Sequence, residues 1–290
     1  MRLIPNYGEG NRRGEVNELS FDEKSTKRKG EDSMRTNRLK ETLQAGHPVF
    51  GTFVSMPEPG IVEAIGWAGY DFVIIDMEHS PIDFGALPHL LAAADGVGLV
   101  PVVRVGTCEA NPILRVLDSG AFGVMVAHVQ SKDDALAVVS ACRYPPKGNR
   151  GVSGASRAAG YGKAKFVEHA QQSNQEVLTI ALIEDLSGVE AIEEIADVSG
   201  LNIICPGPGD LSASLGMVGQ PQHPTVQESV ERVAEVVRAR PDLILGYHIM
   251  DPAQFSRCQE LGARFIIFSQ DSRVLFHAYR NALVGIHEQM

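Results

Sequence analysis

The chain predicts a (β/α)8 barrel of the TIM type, and three observations carry that prediction. Eight apolar runs alternate with helix-like segments from Val49 onward. The runs are apolar on both faces, as parallel strands covered by helices must be. Several of them stop on an ionisable side chain, at the strand edge where parallel α/β folds place their chemistry. An open doubly wound sheet is the rival, but no Gly-rich fingerprint follows an early strand.

The strand candidates are VFGTFV (49–54), FVIID (72–76), VPVVRV (100–105), GVMVAHV (123–129), VLTIALIE (177–184), LNIICPG (201–207), LILGYHI (243–249) and RFIIFS (264–269). A short helix, MRTNRLKETLQAG closed by Gly46, precedes them. Between them lie PGIVEAIGWAG, DFGALPHLLAAAD, NPILRVLDSG, SKDDALAVVSACR, SGVEAIEEIADVS, TVQESVERVAEVVRAR and DPAQFSRCQELG. Most open on Asp, Ser, Thr or Pro and several close near Gly, which suits helix starts and C-caps. The segment from Tyr144 to Val177 is too long for an ordinary connection and is rich in Gly, Ser and Arg. It reads as an active-site flap ending in a helix. SRVLFHAYRNALVGIHEQM adds an amphipathic helix after the eighth strand, free to pack on a neighbouring subunit.

At 290 residues, 44% hydrophobic and 21% charged, the chain suffices for one large core. Residues 1–33 mix charges of both signs without apolar periodicity and read as a disordered extension, with 34–290 as the barrel. Met34 is an alternative start. The net charge of -10 gives no footprint for nucleic acid, and no apolar run approaches a membrane span. A soluble cytoplasmic protein is expected. Cys108, Cys142, Cys205 and Cys258 are widely spaced and read as reduced thiols rather than a zinc or redox motif.

The strand ends deliver Asp76, His79, Arg104, Glu184, Asp210 and His248 to one rim. Glu184 and Asp210 end successive strands, so in a barrel they are neighbours able to share a hard divalent cation. Oxygen ligands favour Mg²⁺ or Mn²⁺ over zinc, with Co²⁺ a further candidate. Either acid alone reads equally well as a cap or salt-bridge partner; the joint placement favours a metal. Gly207, Pro208, Gly209 and Asp210 form a turn into a helix, whose backbone N–H groups suit an anion. Arg104 ends a strand and needs an anionic partner, a protein acid or a substrate. Asp76 and His79 suit an imidazole general base oriented by a carboxylate. His128 and His248 read as rim or pocket residues.

Together the segments GYDFVIIDMEHSPID, PVVRV, LDSGAFGVMV, YPPKGNRGVSGASRAAGYG, IED at Glu184, GPGDLSASLG and QHPTV resemble the HpcH/HpaI family of class II pyruvate aldolases, from about residue 36 to residue 280. That family is typified by 4-hydroxy-2-oxoheptanedioate aldolase. The resemblance implies a barrel in a homohexamer, a trimer of dimers that exchange their last helix. It implies Glu184 and Asp210 as metal ligands, His79 as a base acting through water, and Arg104 steadying an enolate. The backbone of Gly209 and Asp210 would take a pyruvate carboxylate, and Asp118 would come from an adjacent subunit. The implied reaction is cleavage of a 4-hydroxy-2-oxo acid to pyruvate and an aldehyde. Leu182 stands where the heptanedioate aldolases carry a substrate-contacting Gln, so the pocket floor is more apolar and the second substrate stays open. Ala127 replaces a familiar Pro, and Pro206 precedes Gly207. An oxaloacetate decarboxylase or macrophomate-synthase-like enzyme is the runner-up. A noncatalytic relative and a CoA-ester lyase, with Lys147, Arg150 and Arg157 for the CoA phosphates, are further alternatives.

Overall fold

The computed structural model describes residues 36–163 and 165–290; the expected disordered extension at 1–33 and the alternative start at Met34 lie outside them. Helix α1 (Arg38–Gln44) precedes strands β1 (Val49–Val54), β2 (Phe72–Asp76), β3 (Val100–Val105), β4 (Gly123–Val126), β5 (Leu178–Ile183), β6 (Ile203–Pro206), β7 (Ile244–Ile249) and β8 (Phe265–Gln270). All pair in parallel and in sequence order, and β8 returns to β1 to close the barrel. The outer ring is α2 (Pro59–Trp67), α3 (Leu87–Val97), α4 (Ala110–Asp118), α5 (Lys132–Cys142), α6 (Phe166–Glu176), α7 (Leu186–Glu190), α8 (Ile192–Ala196), α9 (Pro208–Ser214), α10 (Pro224–Arg238) and α11 (Phe255–Leu261). Helix α12 (Asp271–His287) ends the chain. No helix among the described residues is long and apolar enough to cross a membrane.

Two separate apolar clusters follow from the two-residue period of strand side chains. Inward residues such as Phe72, Ile74, Val100, Val102, Ile180, Leu182 and Ile267 fill the barrel, while outward residues such as Val73, Ile75, Val103, Ile183 and Ile204 meet the helices. Phe72 and Phe265 stack inside with centroids 4.1 Å apart. Gly51 on β1 makes room, since a Cβ there would lie 2.2 Å from the Phe72 ring. Leu39 and Leu43 of α1 join the inner cluster and plug the end where the strands begin. The Arg264 guanidinium, at the start of β8, holds the Leu43 carbonyl at 2.8 Å.

The last helix does not complete the ring. Only Asp271 of α12 is buried, whereas Phe276, Tyr279, Leu283 and Ile286 are exposed. A groove of about 380 Å³ lies uncovered beside β1, β7 and β8, lined by Phe50, Tyr70, Ile249, Phe255, Ile266 and Phe268.

Candidate active site

Continuing the inward period to the strand ends places Asp76, Arg104 and His248 at one mouth of the barrel, with Leu182 and Glu184 beside them. Arg104 is gripped by Asp76: its Nε donates to Oδ1 at 2.9 Å and its Nη2 to Oδ2 at 2.6 Å. The Glu78 carboxylate stands 3.4 Å from the Arg104 Nε, and the Phe53 ring lies beneath the guanidinium at 4.8 Å. Burial pushes the Asp76 carboxyl up, but the hydrogen bonds and charge of Arg104 and the N–H groups of Glu78 and His79 outweigh it and hold it below its ordinary value. The sequence left open whether a protein acid or a substrate balances Arg104; the structure assigns that role to Asp76.

This corrects the expected part played by Asp76. Asp76 Oδ1 accepts the backbone N–H of His79 at 3.3 Å, so the carboxylate fixes the turn that presents His79. The side-chain partners of Asp76 are on Arg104, and the imidazole stands instead near Glu78, with Nε2 3.8 Å from Oε2. The His79 side chain is 58% exposed, open to substrate or water at the rim.

Glu184 sits one residue past β5 and is buried. Its Oε1 accepts the backbone N–H of His128 at 3.0 Å. Burial pushes the Glu184 carboxyl up to about 7, with Asp210 and Glu78 adding to the rise against the opposing pull of His128. Gly207 is required here, because a Cβ would come within 2.9 Å of the Glu184 Cβ and 3.0 Å of its Oε2. Gly207 then caps α9, and Pro208, Gly209 and Asp210 form the first turn. The Gly209 and Asp210 N–H groups, in the first turn, have no acceptor within the helix, an arrangement that suits an anion.

A buried carboxyl destabilised by neighbouring acids is chemically suited to a divalent cation. Among the described residues, Glu78, His128 and Glu184 bring ligand atoms within 4.8 Å of one another. Glu78 Oε2 is buried without a hydrogen bond. The residues therefore fit a metal, and two side chains not expected as ligands stand beside the expected Glu184. Asp210 is exposed and acts on Glu184 through its charge, while His128 and Glu78 stand in the cluster. His128 adopts φ 53°, a left-handed backbone that swings its ring toward Glu184 and Asp185, with Nδ1 2.9 Å from Asp185 Oδ2. That contact with Asp185, against some desolvation, raises the His128 pKa. Glu78 was visible in the DMEH string and His128 at a strand end, yet no periodicity reveals a left-handed residue that crosses from β4 to β5.

Asp118 and the Tyr144–Val177 link lie elsewhere. The link runs from the end of α5 to the start of β5, so connectivity puts it at the opposite end of the barrel from the Glu184 rim. The expected flap over its own site is thereby overturned. Its Arg150 donates to Asp118 at 2.7 Å, and its Arg157 to Asp95 at 2.5 Å, acids at the strand-entry ends of α4 and α3. Its closing helix, α6, is present as expected. Leu182 is buried on the inner wall, and Pro208 starts α9. Cys108, Cys142, Cys205 and Cys258 are free thiols.

The comparisons with known proteins agree with the barrel fold. Residues 49–278 match the family model described as HpcH/HpaI aldolase/citrate lyase. The chain is 38% identical over 254 residues to a hydroxypyruvate/pyruvate aldolase of Paraburkholderia phytofirmans, covering 86% of this chain and 96% of that one. It is 41% identical over 237 residues to a 2-dehydro-3,6-dideoxy-6-sulfogluconate aldolase of Pseudomonas putida, covering 81% and 91%. Among solved structures, an HpcH/HpaI aldolase/citrate lyase family protein from Burkholderia cenocepacia superposes with a TM-score of 0.83 at 35% identity, covering 87% of this chain and 100% of that one. The family model over most of the chain and relatives at 38% and 41% identity show, together with the closed barrel, that the chain belongs to the HpcH/HpaI aldolase/citrate lyase family, whose aldolases are carbon–carbon lyases.

Proposed function

We propose that this protein is a metal-dependent aldolase that cleaves a 4-hydroxy-2-oxo acid to pyruvate and an aldehyde. The observation that carries the reading is the buried Glu184 carboxyl, raised to about 7 and sharing a cluster of ligand atoms with Glu78 and His128, on the rim where Asp76 locks the Arg104 guanidinium. Glu184 and Asp210 would hold the cation, with His128 and Glu78 beside them, and when bound it supplies Lewis acidity toward the 2-oxo acid. Mg²⁺ and Mn²⁺ suit the carboxylates, and the nearby imidazole widens the choice to Co²⁺.

The chain's own groups account for the rest of the reaction. Arg104 spends Nε and Nη2 on Asp76, which leaves the Nη1 side to steady the oxygen that becomes anionic as the bond between carbons 3 and 4 breaks. His79, exposed at the rim, takes the proton of the 4-hydroxyl through a water. The N–H groups of Gly209 and Asp210 receive the carboxylate, and Leu182 forms an apolar wall. The exposed apolar face of α12 and the uncovered groove beside β1 and β8 support exchange of the last helix between subunits, within a hexamer in which Asp118 approaches a neighbour's His79. A CoA-ester lyase is disfavoured, because Arg150 and Arg157 are paired and sit at the other end of the barrel.

The test is a panel of oxaloacetate decarboxylation beside cleavage of several 4-hydroxy-2-oxo acids, with and without chelator. Chelator-sensitive aldol cleavage is expected. Decarboxylation far faster than every cleavage selects the runner-up activity, and turnover that survives complete metal removal overturns the mechanism.

A further inference from the structure

His128 is an imidazole at the barrel mouth that the proposed reaction leaves beside the cation without a task. It follows β4 with φ 53°, a left-handed backbone that few non-glycine residues adopt. Two neighbours hold it there. Its backbone N–H donates to Glu184 Oε1 at 3.0 Å, and its Nδ1 lies 2.9 Å from Asp185 Oδ2. Gln130 Nε2 donates to the same Asp185 oxygen at 2.9 Å, so that carboxylate is itself fixed. The ring therefore keeps one position relative to Glu184.

An ionised Asp185 only accepts, so the proton between them sits on Nδ1 and Nε2 is the nitrogen left for a ligand. Nε2 turns to Glu78, 3.6 Å from its Oε1, and ligand atoms of Glu78, His128 and Glu184 all lie within 4.8 Å of one another. Donors around one cation lie roughly 3–4 Å apart when each bond is about 2.1 Å. The His128 side chain is 45% exposed, so the cluster is open on its solvent side. An imidazole whose Nδ1 proton is held by a carboxylate is how proteins aim Nε2 at a metal. The charges point the same way. Arg104 stands against Asp76, Glu78 and Glu184 together, and Asp76 already takes the hydrogen bonds of its Nε and Nη2. The Glu78 side chain is 10% exposed, and its Oε2 receives no hydrogen bond. Buried carboxylates in excess of their cations call for another cation.

We propose that His128 Nε2 is a direct ligand of the divalent cation beside Glu184, which makes the site a mixed nitrogen–oxygen one that selects a first-row transition ion such as Co²⁺ over Mg²⁺. A hard ion that keeps its waters gains little from an imidazole, whereas a transition ion gains a bond. The inference rests on the metal-dependent reading for the presence of a cation and not for the bond that is cleaved.

The test uses the full chain without substrate. Pulsed electron paramagnetic resonance of the Mn²⁺-loaded protein reads nitrogen bound to the ion, and calorimetric titrations with Co²⁺ and with Mg²⁺ read selectivity. His128→Asn is the variant, because asparagine tolerates the left-handed backbone and brings no imidazole nitrogen. Thermal melts verify its fold, with His128→Gln in reserve. Wild type is expected to show nitrogen coupling that the variant loses. The variant's preference for Co²⁺ over Mg²⁺ should fall at least about tenfold, a loss that removing a ligand's outer partner already causes. A wild-type spectrum without nitrogen coupling, coupling that survives in the variant, or an equal preference in both proteins overturns the inference; His128 is then an imidazolium paired with its carboxylates. If that result comes with chelator-sensitive aldol cleavage, the aldolase reading stands alone. A nitrogen-bound ion in a protein that cleaves no 2-oxo acid sinks the aldolase reading while the inference stands.

Discussion

Replacing Asp76 by asparagine tests how the site is held together. The Asp76 and Arg104 side chains are 6% and 11% exposed and are joined by bonds of 2.6 and 2.9 Å. Breaking a buried pair from one side costs about 3–5 kcal/mol, because the remaining charge is left desolvated. The substituted amide oxygen still accepts the backbone N–H groups of Glu78 and His79, and Glu78 stays near Arg104, so the low end applies, about 3 kcal/mol. In a domain of this size that lowers the melting temperature by roughly 6–12 °C. Arg104 would lose its anchor, and misplacing a donor to a developing oxyanion costs on the order of 10²–10³ in kcat. The sign with pH is fixed by the lowered Asp76 pKa. Its contribution is fully present above the unfolded carboxyl value, about 3.9, and fades as pH falls through the lower folded value. Wild type should therefore exceed the variant by a constant margin from pH 5 to 8, closing only in stronger acid. Melts by circular dichroism across pH, beside steady-state cleavage, measure both effects. A variant that melts within 2 °C of wild type and cleaves within about threefold of its rate would refute the reasoning.

Four further outcomes are expected. His79→Ala should reduce cleavage at least about a hundredfold while leaving the melting curve unchanged, since the side chain is exposed. Glu184→Gln should abolish divalent-cation binding by calorimetry. In metal-free protein it should also stabilise the fold by about 3 kcal/mol above pH 7, because a carboxyl raised to about 7 destabilises the folded state progressively as pH rises from 4.5. His248 works in the opposite sense. Its folded value of about 4 lies below the unfolded 6.5, so the stability it confers is complete above pH 6.5 and is lost toward pH 4; His248→Leu should flatten that slope by about 3 kcal/mol in chemical denaturation. Changing Phe276 and Tyr279 together to Ser should lower the oligomeric state seen by light scattering, since both are exposed on α12.

The eight strands were legible because a parallel strand buried on both faces is a continuous apolar run, and β1, β2 and β3 match their predicted limits. The ionisable strand ends were legible for the same reason: FVIID, VPVVRV and LTIALIE each stop where the core stops. Less legible were ends set by backbone geometry. β4 finishes at Val126, ahead of the left-handed His128, and a sequence pattern carries no signal for that turn. The Tyr144–Val177 link shows the same limit at larger scale. Its composition marks it as unusual, but only the direction of α5 and β5 shows which end of the barrel it covers.

The amino-acid sequence by itself determined the barrel, the alternation of elements and the set of polar residues at one rim, because those follow from one-dimensional periods of burial. Tertiary structure alone decided who pairs with whom. It gave Asp76 to Arg104 rather than to the His79 ring, drew Glu78 and His128 toward Glu184, and left Nε2 of His248 without a partner. Such pairings depend on distances of a few ångströms between strands far apart in the chain, and on the desolvation that a closed mouth imposes. Neither quantity exists until the barrel closes.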